Sequence, residues 1–116
     1  MHTSPNGSSF IALDKALQAA SIALALSQSI PSRMRPLADQ LIRCSSSVPA
    51  NLSEGHGRSG KSRRHHWQIA YGSAKESEVF LRLLISAGAV DTRRAHQAIG
   101  LLDEVRAMIW SLLHPR

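Results

Sequence analysis

Residues Gly55-His56-Gly57-Arg58-Ser59-Gly60-Lys61-Ser62 fit the pattern G-x-x-x-x-G-K-[ST], and the first six also fit G-x-G-x-x-G. Between a buried strand and a helix, that pattern cradles a triphosphate. Backbone N–H groups and the helix dipole face the phosphates, the lysine reaches the β and γ groups, and the hydroxyl holds Mg²⁺. The context here is different. Residues Ser45 to Glu54 are polar, interrupted by Pro49, and lack the β-branched apolar run of a central strand. Asp91, the candidate for a second magnesium carboxylate, follows Gly88-Ala89-Val90 and reads better as a helix cap. A P-loop-like nucleotide binder is therefore a remote alternative, although a basic, glycine-rich turn before a helix can still hold a phosphate.

The cations of this stretch are the stronger signal. Arg58, Lys61, Arg63 and Arg64, with His65 and His66, lie at the start of a helix expected to begin between Ser59 and Ser62. Cations there oppose the helix dipole, so the cluster calls for an anion. Three environments are open: an RNA or DNA backbone, solvent, or carboxylates of a neighbouring subunit. Arg33, Arg35 and Arg43 extend the candidate nucleic-acid surface. Few exposed aromatics are expected to stack bases, and Trp67 reads as core.

Other reactive side chains point away from catalysis. Glu76 and Glu78 are two apart and face different ways on a helix. No Glu has His at the third following position, the pairing used by two-metal bundles, and the adjacent His65 and His66 diverge. The single cysteine, Cys44, excludes an internal disulfide and shares helical spacing with Leu41 and Val48, as a small core residue would. We expect no enzyme, no cofactor and no metal.

The elements that position these residues follow from apolar spacing. Residues 1–8 carry Pro, Gly and Ser without periodicity and read as a flexible terminus; residues 9–116 form one domain. Ser8 or Ser9 can cap a first helix, in which Phe10, Leu13, Leu17, Ala20, Leu24 and Ser27 form one face, broadened by Ile22 and Leu26. Pro31 ends it, and Pro36 sits near the start of a second helix that buries Leu37, Leu41, Cys44, Val48 and Leu52. Pro49 falls inside that helix, which predicts a kink between Ser45 and Pro49 with the helix continuing through Glu54. Gly55 and Gly57 are expected to end it by taking left-handed conformations.

The third helix has one seam through Trp67, Ala70 with Tyr71, Ala74, Leu81 and Leu84 with Ile85. A second runs through Ile69, Phe80, Leu83 and Ala87 and needs its own partner, which another subunit can supply. Gly88 closes this helix. Asp91 or Thr92 caps a fourth, with its seam at Ala95, Ile99, Leu102, Val105, Ile109 and Leu112, widened by Leu101, Met108 and Leu113. The reading is all-α, an antiparallel up-down four-helix bundle with a Pro-kinked second helix.

Composition agrees with this reading. The 116 residues are 43 % hydrophobic but only 4 % aromatic, which favours aliphatic helix packing over a sheet. Fourteen Lys and Arg, eleven of them Arg, against eight Asp and Glu give a net charge of +6, which suits a polyanionic partner. No apolar run approaches the ~18–20 residues of a membrane span and no signal peptide is visible, so a soluble cytoplasmic protein without membrane contact is expected.

A longer resemblance covers the same residues. Ser46-Ser47-Val48-Pro49-Ala50-Asn51-Leu52-Ser53-Glu54-Gly55-His56-Gly57-Arg58 resembles the S-[IV]-P-A-N-[IL]-x-E-G-x-G-R block of the four-helix bundle family named for 23S ribosomal RNA intervening sequences. Ile69 to Glu78 resembles its I-A-x-G-S-x-x-E-x-E block, and Met108-Ile109-Trp110 its closing M-[LI]-W. The resemblance makes Pro49, Asn51, Glu54, Gly55, Gly57, Gly72, Ser73 and Glu76 its structural signature. Asn51, Glu54, Ser73 and Glu76 are expected to join in a polar network across the second and third helices, compensated by Arg58 or Arg82. The chain departs from the pattern in lacking an early tryptophan near Leu13, in carrying His56 where an aromatic is usual, and at Arg63-Arg64-His65-His66.

The resemblance implies a homo-oligomeric ring, with a pentamer as the known form. One branch is similar to the accessory protein of diversity-generating retroelements, whose basic ring binds nucleic acid and the reverse transcriptase. The expected function is a non-enzymatic oligomer that binds RNA, DNA or a nucleic-acid enzyme through a basic surface. The alternative is an assembly module without nucleic-acid binding.

Overall fold

Short connections separate four helices: α1 (Gly7–Ser27), α2 (Arg35–His56), α3 (Gly60–Ser86) and α4 (Thr92–Leu113), with a 3-10 turn at Ser32–Met34 before α2. Connections this short make consecutive helices antiparallel. The computed structural model describes residues 7–116, with side chains from Phe10 onward. Most of the terminus expected at 1–8 lies outside the described residues, and α1 is already helical at Gly7. Among the described residues there is no strand. The backbone of each helix closely approaches two neighbours among the described residues, α2 approaching α1 and α3, and α4 approaching α3 and α1, while the diagonal pairs stand farther apart. The bundle measures 45 × 26 × 22 Å.

The expected seams of α2, α3 and α4 are the core. Leu41, Val48, Leu52, Trp67, Ala70, Ala74, Leu81, Leu84, Ala95, Leu102, Val105 and Ile109 are all buried. Ala98, which the spacing did not single out, joins them. Asp91 caps α4 as expected, its carboxylate accepting from the Arg94 N–H at 3.2 Å. Gly88, at φ +67°, closes α3.

Helix α1 corrects the expected packing in part: Ala20, Ile22 and Leu26 are buried and Leu13 packs on the core, but the other large residues of the expected face are not. Its inward face is Ala12, Ala16, Ala19, Ala20, Ile22, Ala23 and Leu26. The face predicted from Phe10, Leu17 and Leu24 exists, but those side chains are 51 %, 50 % and 45 % exposed. Small inward residues let α1 approach its neighbours closely, while the large ones remain outside. The window Phe10–Ser27, of mean hydropathy 1.4, is also long and apolar enough by composition to cross a membrane, contrary to the sequence reading. It packs as a bundle helix: 44 % of it is buried, and Lys15 within it pairs with Glu104 of α4 at 3.3 Å.

Helix α2 runs through Pro49 to His56 without interruption. Ser45 and Ser46 hydroxyls donate back to the Ile42 carbonyl, a bond type that bends helices. The glycine expectation needs correction. Gly57 is right-handed at φ −81°, and the left-handed glycine of this turn is Gly60, at φ +57°. Gly55 serves packing instead: a Cβ there would stand 2.5 Å from Cδ1 of Trp67.

Cys44 is buried, its Sγ lying 3.6 Å from the Leu41 carbonyl, and burial pushes its thiol up. The folded protein is expected to resist iodoacetamide at pH 8 and to react fully once denatured. Prompt labelling of the native fold would contradict this placement.

Candidate nucleic-acid interface

Antiparallel packing gives the bundle two poles. At the first, α2 and α4 end where α1 and α3 begin; at the second, α1 and α3 end where α2 and α4 begin. Arg58, Lys61, Arg63, Arg64 and His65 lie at the first pole. Arg33 and Arg35 lie at the second, about 35 Å away along α2. Arg43 is exposed partway along α2. The eight predicted residues therefore do not form one surface.

The first pole also spends its cations internally. Arg63 Nε donates to the Gly55 carbonyl at 3.0 Å and its NH2 to the His56 carbonyl at 3.1 Å, while the guanidinium lies 5.3 Å from the Trp67 ring. Arg64 NH1 donates to the Leu113 carbonyl at 2.6 Å. These are end carbonyls of α2 and α4, so the cations stand against the negative ends of neighbouring helix dipoles. The unfavourable placement at the start of α3 is thus compensated by the helices beside it. Arg58 Nε pairs with Glu54 at 2.8 Å, and its NH1 reaches Ser62 Oγ at 3.3 Å. Arg58, Lys61, Arg64 and His65 are all exposed; of these, the Lys61 side chain makes no hydrogen bond or ion pair among the described residues, and His65 lies edge-on to the His66 ring.

The expected polar network forms in part. Ser47 Oγ accepts from Asn51 Nδ2 at 3.0 Å and from Ser73 Oγ at 2.9 Å, and His66 Nδ1 meets Asn51 Oδ1 at 3.0 Å. Two glutamates do not join it. Glu54 pairs outside with Arg58, and Glu76 is exposed. The buried carboxylate is Glu78, which takes both Nε and NH2 of Arg106; that contact raises the arginine further above its ordinary value. Arg106 also contacts Asp103 at 3.0 Å and lies 5.9 Å from the Tyr71 ring. The arrangement neutralises a buried charge and crosslinks α3 to α4.

Four exposed arginines occupy the second pole: Arg33 in the 3-10 turn, Arg35 opening α2, and Arg93 and Arg94 in the first turn of α4. Among the described residues none has an ion-pair partner. Arg93 and Arg94 escaped the sequence reading because they lie some sixty residues from Arg33 and Arg35 in the chain. An exposed aromatic was missed too: Trp110 stacks on His114 at 3.8 Å between ring centroids.

The family described as 23S rRNA-intervening sequence protein matches residues 8–111 of the chain. A crystal structure of a protein of unknown function from the S23 ribosomal protein family of Bacteroides thetaiotaomicron is similar in fold. It has a TM-score of 0.82 at 20 % identity, with 91 % of this chain and 97 % of that chain covered. No functionally curated protein matches. The matched span runs through every helix and takes in the Pro49–Gly57 and Ile69–Glu78 blocks, so the chain belongs to the 23S rRNA-intervening sequence protein family.

Proposed function

We propose that this chain is a non-enzymatic, cytoplasmic, ring-forming bundle that binds nucleic acid, or a nucleic-acid enzyme such as a reverse transcriptase, through its basic surface. The observation that carries the ring is a pair of outward apolar stripes on diagonal helices. On α1, Phe10, Leu17 and Leu24 repeat every seven residues, the spacing of a helix–helix seam. On α3, Ile69, Val79 and Leu83 are exposed, with Phe80 half-buried beside them.

Because the two stripes are different surfaces on different helices, an α1-to-α3 contact between copies is head-to-tail, and such contacts close into a ring or grow into a filament. The direction of the stripes favours closure. Leu24 is nine residues from Lys15, which reaches α4, and Ile69 is nine from Glu78, which also reaches α4. Nine residues are about two and a half turns, so Leu24 and Ile69 turn away from α4 and toward α2, while Val79 borders the cleft that α3 shares with Arg106 of α4. Two contact directions that converge on one side build a closed ring, here with α2 inside. Arg43 on the outer face of α2 would then line the opening, and a pentamer is the form we favour.

Leu17→Glu/Leu24→Glu is expected to give a folded monomer by light scattering and circular dichroism, and so is Val79→Glu/Leu83→Glu. Each variant keeps one good face, so mixing the two should yield a 1:1 heterodimer and nothing larger. Failure of the mixture to associate would reject the head-to-tail arrangement. The nucleic-acid part requires wild-type protein to shift RNA or DNA in a gel at about 50 mM salt. A wild-type ring that shifts neither single- nor double-stranded probes would leave the assembly-module reading in its place.

A further inference from the structure

The cation cluster that stands out in the sequence, at the first pole, is largely consumed by helix-end carbonyls and Glu54. At the second pole none of the arginine side chains has an ion-pair partner among the described residues. Arg33 and Arg35 flank the N-terminus of α2, which has no acidic residue in its first turn and no side-chain cap. Arg93 and Arg94 occupy the first turn of α4, also without an acid. The pole's two carboxylates, Asp39 and Asp91, pair with none of the four, and Asp91 spends an oxygen on the Arg94 backbone.

Two helix N-termini and two C-termini share this end, so their dipoles offset, and it is the four exposed guanidiniums without ion-pair partners that concentrate positive potential there. The end is also shaped. Between α1 and α2 lies a cleft of about 310 Å³ lined by Ser27, Gln28, Ile30, Ser32, Arg35 and Ala38, which sets an arginine beside hydroxyl and amide groups suited to phosphate oxygens.

We infer that the second pole, through Arg33, Arg35, Arg93 and Arg94, is the surface that holds the nucleic-acid backbone, and that the Arg58–Arg64 pole is structural. The inference rests on the nucleic-acid reading above and assigns it a face. In a ring of parallel copies every second pole lies on the same rim, so the arginines form one continuous band that tracks a sugar–phosphate chain. Readout is by charge with little sequence preference, because phosphate contacts position a strand without specifying bases.

The test compares affinities for a mixed-sequence RNA and a DNA duplex across a salt series. Arg33→Gln/Arg35→Gln/Arg93→Gln/Arg94→Gln is expected to lose at least about thirtyfold in affinity at 100 mM salt and to flatten the log–log salt slope by about three. Arg58→Gln/Lys61→Gln should stay within about twofold of wild type. The fourfold Arg→Lys variant keeps the charge and should bind within a few-fold, and circular dichroism should show wild-type helicity for all. A Gln variant at wild-type affinity, or a larger loss from Arg58→Gln/Lys61→Gln, overturns the assignment while leaving nucleic-acid binding standing. Wild-type protein that shifts neither probe overturns the parent reading as well. Polyglutamate of matched charge binding as tightly as RNA would make the face a site for acidic protein and overturn it too.

Discussion

Gly55→Ala is expected to destabilise the bundle by about 1–3 kcal/mol, even though alanine is the better helix former. The added Cβ would meet Trp67 at 2.5 Å from Cδ1 and 2.6 Å from Nε1, with the Arg63 carbonyl at 3.2 Å. Trp67 has little room to yield. It is 3 % exposed and its Nε1–H donates to the Leu52 carbonyl at 3.3 Å, so moving the ring breaks a buried hydrogen bond. Helix propensity alone would return as much as about 1 kcal/mol, so any net loss reports the clash. The two residues should be coupled: with Trp67→Leu already in place, Gly55→Ala should cost less than half as much. Urea unfolding at fixed protein concentration reads both effects, and a single variant as stable as wild type would show that the indole repacks freely.

Arg63→Ala should cost about 1.5–3 kcal/mol, from losing charge-assisted hydrogen bonds to two carbonyls at the end of α2. The carbonyls of Gly55 and His56 are successive, and the forked guanidinium meets both while lying against Trp67. Lysine has one compact head and no planar face, so Arg63→Lys should recover less than half of the loss. Arg64→Ala, which removes one bond from an exposed side chain, should cost less than Arg63→Ala. If Arg63→Lys were fully stable, charge at the end of α2 would suffice without the fork. The same measurements warn against using charge reversal at these two positions to test nucleic-acid binding, because lost binding could not then be separated from lost structure.

The cores of α2, α3 and α4 were legible because most of their large apolar residues recur at helical spacing on one inward seam, with the outward set of α3 standing apart as a second seam. Helix α1 was not. Its large residues and its alanines form two separate stripes, and periodicity shows the stripes without saying which is inside. The end-capping role of Arg63 and Arg64 was hidden for a related reason. It depends on carbonyls of helices that meet only in three dimensions, Leu113 lying 49 residues from Arg64. Glu78 and Arg106, 28 residues apart, were invisible as a pair for the same cause. The Asn51–Ser73 connection was anticipated only because both blocks of the resemblance are polar on the faces that meet.

The alanine face of α1 separates two kinds of selection. Ala12, Ala16, Ala19 and Ala23 seat the helix, whereas Phe10, Leu17 and Leu24 contribute little to the interior. In the proposed ring, substitutions in the second set would rewrite which neighbours a copy accepts while the fold stays as it is. The same positions would then offer a route to engineered rings of alternating, mutually exclusive subunits.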